Sequence, residues 1–225
     1  MAYDYLGLCN DVAVRLNETQ LTTSNFSTAT GFYSAIKEAV NSSIRHINQS
    51  HFSWPFNHNV EEETLTAGVI RYNIPDEAKY VDFDTFRVRR DDTLDLGETR
   101  RLKQISYDEY VDRYIQQEDQ AVDEGGVPEY VFRAQNNEYG VVPHPDKAYQ
   151  VDFEYFNFPV DLALNSDVPS IPERFRFVIT DGAMYYAYMF RDNLEMATVS
   201  QRKFDEGVKQ MRVLLVNENV YMRAV

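Results

Sequence analysis

The spacing of apolar residues changes twice along the chain, and these changes constrain its fold more than any other feature of the sequence. Up to about residue 58, apolar side chains recur every three or four positions, as on one face of a helix. Between residues 59 and 169 the interval falls to two, which is typical of β-strands, and from residue 170 to 217 it returns to three or four. The sequence therefore predicts an α+β fold: a bundle of N- and C-terminal helices with an inserted, mainly antiparallel β domain.

The first helical segment has two parts. Leu8, Val12 and Leu16 share one face of a short helix, which a loop rich in Ser, Thr and Asn follows. A longer helix is predicted from about Thr30 to Ser50. Its apolar stripe has helical spacing and consists of Phe32, Ile36, Val40, Ile44 and Ile47.

Two further helix starts are indicated by a Ser and a Glu three residues apart, the spacing of a capping box. Ser106 and Glu109 predict a short helix inside the β insertion, from Tyr107 to about Gln117. Ser170 and Glu173 have the same spacing, with a proline between them, and predict that the first C-terminal helix starts there.

Alternating apolar residues, with turn residues every ten or so positions, predict six strands in the insertion. They are residues 60–66, 69–74, 81–89, 130–134, 139–142 and 149–158. In the last strand Val151 and Phe153 lie on one face, while Asp152 and Glu154 lie on the other. One face of this strand is therefore expected to be buried and the other to be acidic.

Charge changes at nearly the same borders as the apolar spacing. The chain of 225 residues has a formal net charge of −14. Residues 1–60 contain 3 basic and 4 acidic side chains, residues 61–170 contain 11 and 25, and residues 171–225 contain 8 and 7. We expect three parts, which are a helical bundle of residues 1–58 and 170–217, a β insertion domain of residues 59–169 and an attachment tail of residues 218–225.

Composition excludes several classes of protein. A strongly acidic chain repels nucleic-acid phosphates and anionic lipids and is therefore expected to bind them poorly. The single cysteine, Cys9, excludes an internal disulfide and fits synthesis in the reducing cytoplasm. Apolar runs are far shorter than the ~20 residues of a membrane span, and the acidic start at Met1–Asp4 does not resemble a signal peptide. A soluble protein without membrane association is expected.

Motifs that carry chemistry are missing from the sequence. None of the four histidines has a metal-ligand spacing, and the glycine patterns of a phosphate loop, a dinucleotide site or a nucleophile elbow do not occur. The basic residues Arg87, Arg89, Arg90, Arg100 and Arg101 lie among carboxylates, so ion pairs are expected for them rather than phosphate contacts. We expect no catalytic residue, no metal, no cofactor and no enzymatic activity.

Aromatic residues are the most prominent remaining feature. Tyr185, Tyr186 and Tyr188 crowd one predicted helix, either as the edge of a core or as an interface with another protein; both interpretations stay open. The tail is more apolar than a solvated chain end requires, although a frayed terminus is the alternative. The expected partner-binding residues are Val220, Tyr221, Met222, Arg223, Tyr185 and Tyr186.

Four segments together resemble a known family. They are the aromatic segment His51–Phe56, the strand pair in Glu63–Pro75, the return to helix at Val168–Phe175 and the helical segment Asp181–Tyr188. Their order and character are similar to those of the head-to-tail adaptor proteins of tailed bacteriophages, especially the tail tubular protein A type of podoviruses. The resemblance covers about residues 1–215.

This resemblance implies a structural virion protein. Adaptors of this kind form a dodecameric ring that docks on the portal protein and receives the tail nozzle or tube, and DNA passes through the lumen without sequence-specific binding. The protein would be made and assembled in the host cytoplasm and reside in the virion neck. An acidic wall would let the like-charged DNA slide, although the charge could also serve to keep the free subunit soluble. Another tail component, such as a nozzle, stopper or tube subunit, and a cytosolic hydrolase remain as alternatives.

Overall fold

A computed structural model of the protein describes residues 2–89, 99–119, 121 and 124–216. The chain divides into two compact units: the helical unit, Met1–Asn57 with Phe158–Val225, and the β unit, His58–Asn157. The α-helices are α1 (Tyr5–Arg15), α2 (Phe32–Ser50), α3 (Tyr107–Tyr114), α4 (Arg176–Phe190) and α5 (Leu194–Leu215). The strands are β1 (His58–Thr64), β2 (Arg71–Asn73), β3 (Ala78–Arg89), β4 (Thr99–Arg101), β5 (Lys103–Ile105), β6 (Tyr130–Arg133), β7 (Glu138–Val142) and β8 (Gln150–Asn157).

The helical unit is organised around α4, which contacts α1, α2 and α5. The stripe predicted on α2 faces this core, with Ile36, Val40 and Ile47 completely buried. Asp4 caps α1, because its carboxylate accepts a hydrogen bond from the Gly7 amide at 2.7 Å. None of the described helices is both long and apolar enough to span a bilayer.

Gly182 of α4 lies at a point of close packing between three helices of the helical unit. A methyl group built there would lie 2.2 Å from the Ser43 hydroxyl oxygen on α2 and 2.6 Å from the Phe204 ring on α5. The Ser43 hydroxyl donates a hydrogen bond to the Ile179 carbonyl oxygen at 2.9 Å, one turn earlier on α4. A glycine at this position lets three helices meet at a single point.

Residues 158–169 lie with the helices, whereas the apolar spacing placed them in the β insertion. Leu162 packs in the core of the helical unit. The Asn41 side chain of α2 binds its backbone on both sides, donating to the Leu162 carbonyl oxygen at 3.0 Å and accepting from its amide at 3.1 Å. These bonds provide partners for the backbone amide and carbonyl groups of a segment that belongs to no sheet. The alternation of apolar residues therefore continues beyond the end of β8. The division into separate domains with a tail stays a prediction.

Two four-stranded sheets make up most of the β unit. Their strand orders are β1-β8-β3-β4 and β2-β7-β6-β5, and each pair is antiparallel except β5 with β6. Phe153 of β8 points into the core as its alternation predicts, and it stacks on Phe86 with ring centroids 4.5 Å apart. Asp152, on the other face, is also buried, where the Arg89 guanidinium neutralises it at 2.8 Å.

Helix α3 confirms one of the two capping predictions. The Ser106 hydroxyl accepts a hydrogen bond from the Glu109 amide at 3.1 Å, and the Glu109 carboxylate pairs with Arg113 instead of returning to the cap. Tyr110 is fully buried and stacks on Phe132 of β6 at 3.9 Å.

The second capping prediction is wrong. Pro172 has an extended backbone, a short 3-10 turn follows at Glu173–Phe175, and α4 begins only at Arg176 without a side-chain cap. Because the backbone at Pro172 is not helical, Ser170 does not precede a first helical turn, and its hydroxyl donates to the Asn57 side-chain oxygen at 3.1 Å. The six-strand prediction also missed β4 and β5, which are three residues long and too short to show alternation.

The predicted fold class is confirmed. The described residues form five helices and two mainly antiparallel sheets, an α+β combination in which α3 is the short helix between strands of the insertion.

Substituting Gly182 with alanine tests the three-helix contact. Overpacking typically costs about 1–3 kcal/mol, which exceeds the ~1 kcal/mol that alanine gains in helix propensity, so the unfolding free energy should fall. Denaturant unfolding measures the change in the unfolding free energy.

Removing the Ser43 hydroxyl in a Gly182→Ala/Ser43→Ala double variant should recover part of the loss because the closest clash disappears. Gly126→Ala, where the nearest atom to the added methyl group is Cγ of Pro143 at 3.7 Å, is the control and should be nearly neutral. Equal stability of Gly182→Ala and the wild type would contradict the close contact.

Candidate interaction surface

Exposed apolar residues are distributed unequally between the two units. Of the 19 large hydrophobic residues exposed in the described part of the chain, 14 belong to the helical unit. Those in the β unit are Val60, Val69, Tyr80, Val111 and Ile115, none more than half exposed. Contiguous exposed apolar surface commonly marks a site of interaction with another protein. The helical unit is therefore the better candidate for such a site.

One group of these residues surrounds the turn between α4 and α5. We call Met189, Phe190 and Leu194 the turn patch; their exposed fractions are 43%, 61% and 65%. The turn is held in place by Arg191, whose guanidinium pairs with Glu18 and lies 3.8 Å from the centre of the Phe32 ring. The patch is thus a fixed feature of the surface.

A second group lies on the segment that follows β8. We call Val160, Leu164 and Val168 the loop patch; their exposed fractions are 84%, 65% and 61%. The segment is irregular but firmly bound, because the Asp167 carboxylate accepts hydrogen bonds from the backbone amides of residues 163 and 164 at 2.8 and 2.7 Å. Asp161 next to the patch forms a two-pronged ion pair with Arg45 at 2.8 and 3.0 Å, which holds the pKa of the Asp161 carboxyl below its usual value.

Helix α5 is exposed along most of its circumference. Its buried residues form one narrow stripe, and they are Ala197, Ser200, Phe204, Gly207 and Met211. Met196 and Val199 near its start and Val213 and Leu214 near its end are exposed. Because α5 buries only this narrow face, its other side chains remain exposed and can contact a partner protein.

Tyr185 and Tyr186 are half-buried on α4. Their rings meet edge to face at 4.9 Å, and the Tyr186 hydroxyl lies 3.2 Å from Nδ1 of His46, whose ring packs against Phe204. Burial raises the pKa of the Tyr186 hydroxyl. Tyr186 packs against the core of the helical unit, while a role of Tyr185 and Tyr186 in partner binding stays a prediction. The other expected partner residues, Val220, Tyr221, Met222 and Arg223, lie outside the described part of the chain.

The β unit carries nearly all of the negative charge. Residues 58–157 contain 23 acidic and 11 basic side chains, a net charge of −12. The expected ion pairs are present for Arg87, Arg89, Arg100 and Arg101, at 2.7 to 3.5 Å, and Arg90 lies outside the described residues. Because these cations are already paired, an approaching phosphate group would meet mainly carboxylates.

The β unit contains an open cleft of about 550 Å³ with several acidic residues in its lining. It is lined by Glu61, Glu63, Asn73, Ile74, Pro75, Asp76, Glu77, Asn136 and Asn137. The Tyr139 hydroxyl donates to the Glu63 carboxylate at 2.6 Å. Burial raises the pKa of Glu63, and the hydrogen bond from Tyr139 opposes this shift.

Neither the cleft nor the histidines present a recognisable reactive centre. Among the residues that the structure describes, no group of three or more His, Cys, Asp and Glu side chains is placed to hold a metal ion. The histidines contact the Tyr186 hydroxyl (His46), the Ser53 amide (His51), the Glu154 carboxylate (His58) and the Ala121 carbonyl oxygen (His144). Burial raises the pKa of the Cys9 thiol to about 12, so this cysteine is a poor nucleophile.

Comparison with known proteins gives one result. The family model described as SU10 adaptor protein matches residues 3–225, nearly the whole chain. No curated protein matches the chain.

The half-buried Glu63 carboxylate in the cleft predicts a dependence of stability on pH. Since the pKa of Glu63 is higher in the folded state than its ordinary value of 4.5, the folded protein holds this proton more tightly than the unfolded chain does. The stabilisation from this tighter proton binding is fully present below pH 4.5 and is lost as the pH rises through the raised pKa of Glu63 in the folded state.

Glu63→Gln should raise the unfolding free energy at pH 7, because the amide keeps an acceptor for Tyr139 but carries no charge. The gain should shrink when unfolding is measured at pH 4, where the carboxyl is protonated in both states. Glu138→Gln, which removes a carboxylate outside the cleft, is the control. A loss of stability of the same size at both pH values would refute this account of Glu63.

Proposed function

The chain belongs to the SU10 adaptor protein family, and from this membership we propose that it is the subunit of a head-to-tail adaptor ring that connects the portal to the tail. The resemblance to phage head-to-tail adaptors is confirmed by the match over residues 3–225. A phage adaptor is a structural component of the virion, so a place in the virion neck follows, with synthesis and assembly in the host cytoplasm as part of the proposal.

The proposal depends on one observation: the two units differ in net charge and in the number of exposed apolar side chains. The helical unit is nearly neutral, with 11 basic and 13 acidic residues, and presents most of the exposed apolar side chains. The β unit has a net charge of −12. A subunit that packs against its neighbours and against the portal through one part, while another part stays hydrated, has this character.

The proposed ring is dodecameric and leaves a lumen for DNA. Double-stranded DNA carries one negative charge per roughly 1.7 Å of its axis, so a wall that bound phosphates would retard its passage. The paired arginines and the surplus of carboxylates support passage without sequence-specific binding. A tail nozzle or tube protein is the proposed partner on the side opposite to the portal.

The alternatives predicted from the sequence are weaker. Helices at both ends of the chain with a β insertion favour an adaptor over a tube subunit, which would be mainly β. Family membership supports a structural role over a cytosolic hydrolase.

The tail and the tyrosine pair are the proposed contacts with other proteins. Val220, Tyr221, Met222 and Arg223 follow α5 in sequence, and in the proposal their apolar groups bind a pocket on the portal or on a neighbouring subunit. Tyr185 and Tyr186 are the proposed contacts from α4. Tyr185 is the better of the two to test, because the Tyr186 hydroxyl is engaged with His46.

Incorporation into complexes with the portal tests this function. The cognate portal is mixed with the wild-type chain, and the product is purified by sedimentation and weighed by native mass spectrometry. A stable complex containing a dodecamer of the chain is expected. Failure of the wild-type chain to bind either the portal or a tail component would contradict the adaptor function.

Deleting residues 218–225 tests the tail. Incorporation into the portal complex should fall, while thermal unfolding of the free chain should change little because the deletion lies beyond the packed end of α5. Tyr185→Ser in the full-length chain serves as the parallel test of the tyrosine pair. Full incorporation of the truncated chain would exclude the tail as an attachment segment.

A further inference from the structure

The turn patch and the loop patch lie at opposite ends of α1. Arg191 in the turn pairs with Glu18, which follows the C-terminal end of the helix. At the other end, the amides of Tyr5 and Leu6 donate to the carbonyl oxygens of Asp167 and Asn165 at 2.8 and 3.1 Å. Since α1 has 11 residues and a helix rises 1.5 Å per residue, the two points of attachment are separated by about 16 Å along α1.

Hydrogen bonds and an ion pair within the chain hold the segments that carry both patches. The loop patch is held by the Asn41 and Asp167 hydrogen bonds, and the turn patch by Arg191 and by Asn193, whose side chain accepts a hydrogen bond from the Met196 amide at 3.2 Å. Apolar side chains fixed on the surface lose little conformational entropy on binding, so they are well suited to an interface.

Two different apolar patches on one unit are what a head-to-tail contact between identical chains requires. In such a heterologous contact, one surface of each copy meets a different surface of the next, and repetition produces a ring or a filament. A single self-complementary patch would instead produce a two-fold dimer.

The net charges of the two units indicate that the helical units of two copies can approach and contact each other. Two β units, each at −12, repel one another, whereas two helical units with 11 basic and 13 acidic residues each do not. A second copy of this chain offers the matching patch at both ends of the contact and is not repelled by the near-neutral helical unit, so we take it as the occupant. We propose that the turn patch of one copy binds the loop patch of the next; this assignment rests on the proposed ring and names the surfaces that build it.

Engineered cysteines test the contact in the full-length chain. Val160→Cys places a thiol in the loop patch and Leu194→Cys places one in the turn patch, while the native Cys9 is completely buried. A disulfide needs Cα atoms within ~7 Å, and the two patches are attached at opposite ends of α1, so the expected cross-link joins two chains. Cross-linking is carried out with diamide at high salt, where the repulsion between the β units is screened.

The proposal predicts a different product for each sample. The double variant should give a ladder of dimers, trimers and larger species, and a mixture of the two single variants should give a dimer and nothing larger. Each single variant alone should remain monomeric. The control Val60→Cys/Val111→Cys, with both cysteines on exposed positions of the β unit, should give no ladder. Dimers from Leu194→Cys alone, or no ladder from a folded double variant, would overturn the proposal.

A second measurement keeps the test valid if disulfide geometry is unsuitable. Leu164→Asp and Leu194→Asp should each lose incorporation into the portal complex with unchanged unfolding, and Val60→Asp should retain it. Wild-type incorporation of both patch variants would overturn the surface assignment and leave the adaptor function intact. Conversely, a cross-linked ladder from a chain that binds no portal or tail component would support this contact and contradict the adaptor function.

Discussion

The contact of α4 with α2 and α5 at Gly182 is the packing constraint on which the helical unit depends. It joins segments far apart in the chain, because Ser43 and the Ile179 carbonyl oxygen that it binds are 136 residues apart in sequence. The β unit is inserted between these segments, so the core can close only if the returning chain approaches α2 closely. A residue without a side chain meets this requirement, and the Asn41 clamp on Leu162 guides the chain toward it.

From this packing follows a division of surface character. Because α4 is enclosed by its neighbours, the exposed apolar residues collect at the α4–α5 turn, on the segment after β8 and along the outer side of α5. The carboxylates collect in the β unit, where arginines neutralise only some of them. In the proposed ring, apolar contacts between helical units attract neighbouring copies, while the charges of the β units repel them. A subunit that must assemble and also stay soluble requires both.

The sequence was sufficient to predict the features that follow from a repeating pattern. The two changes of apolar spacing correspond to the helical and strand-rich parts, and the Ser106 cap predicted α3. The sequence was not sufficient where one pattern is compatible with two different local structures. Ser170 and Glu173 have capping spacing, but Ser170 binds Asn57 instead.

The candidate surface was harder to predict for the same reason. In sequence, Val160 and Val168 are indistinguishable from the core residue Leu162, because alternation does not tell which face of an irregular segment is covered. Only the hydrogen bonds of Asn41 and Asp167 determine that Leu162 turns inward and its neighbours outward. The excess of tyrosines on α4 did indicate an aromatic cluster, although its contact with His46 comes from tertiary packing.

Electron cryomicroscopy of the neck of the purified virion tests the central claim most directly, because it shows where the chain lies and what its helical unit touches. The account predicts a ring of copies between the portal and the tail, with helical units in contact through the turn and loop patches and a lumen around the DNA. Density for the chain elsewhere in the particle, its absence from the particle, or a ring in which both patches face solvent would contradict the account.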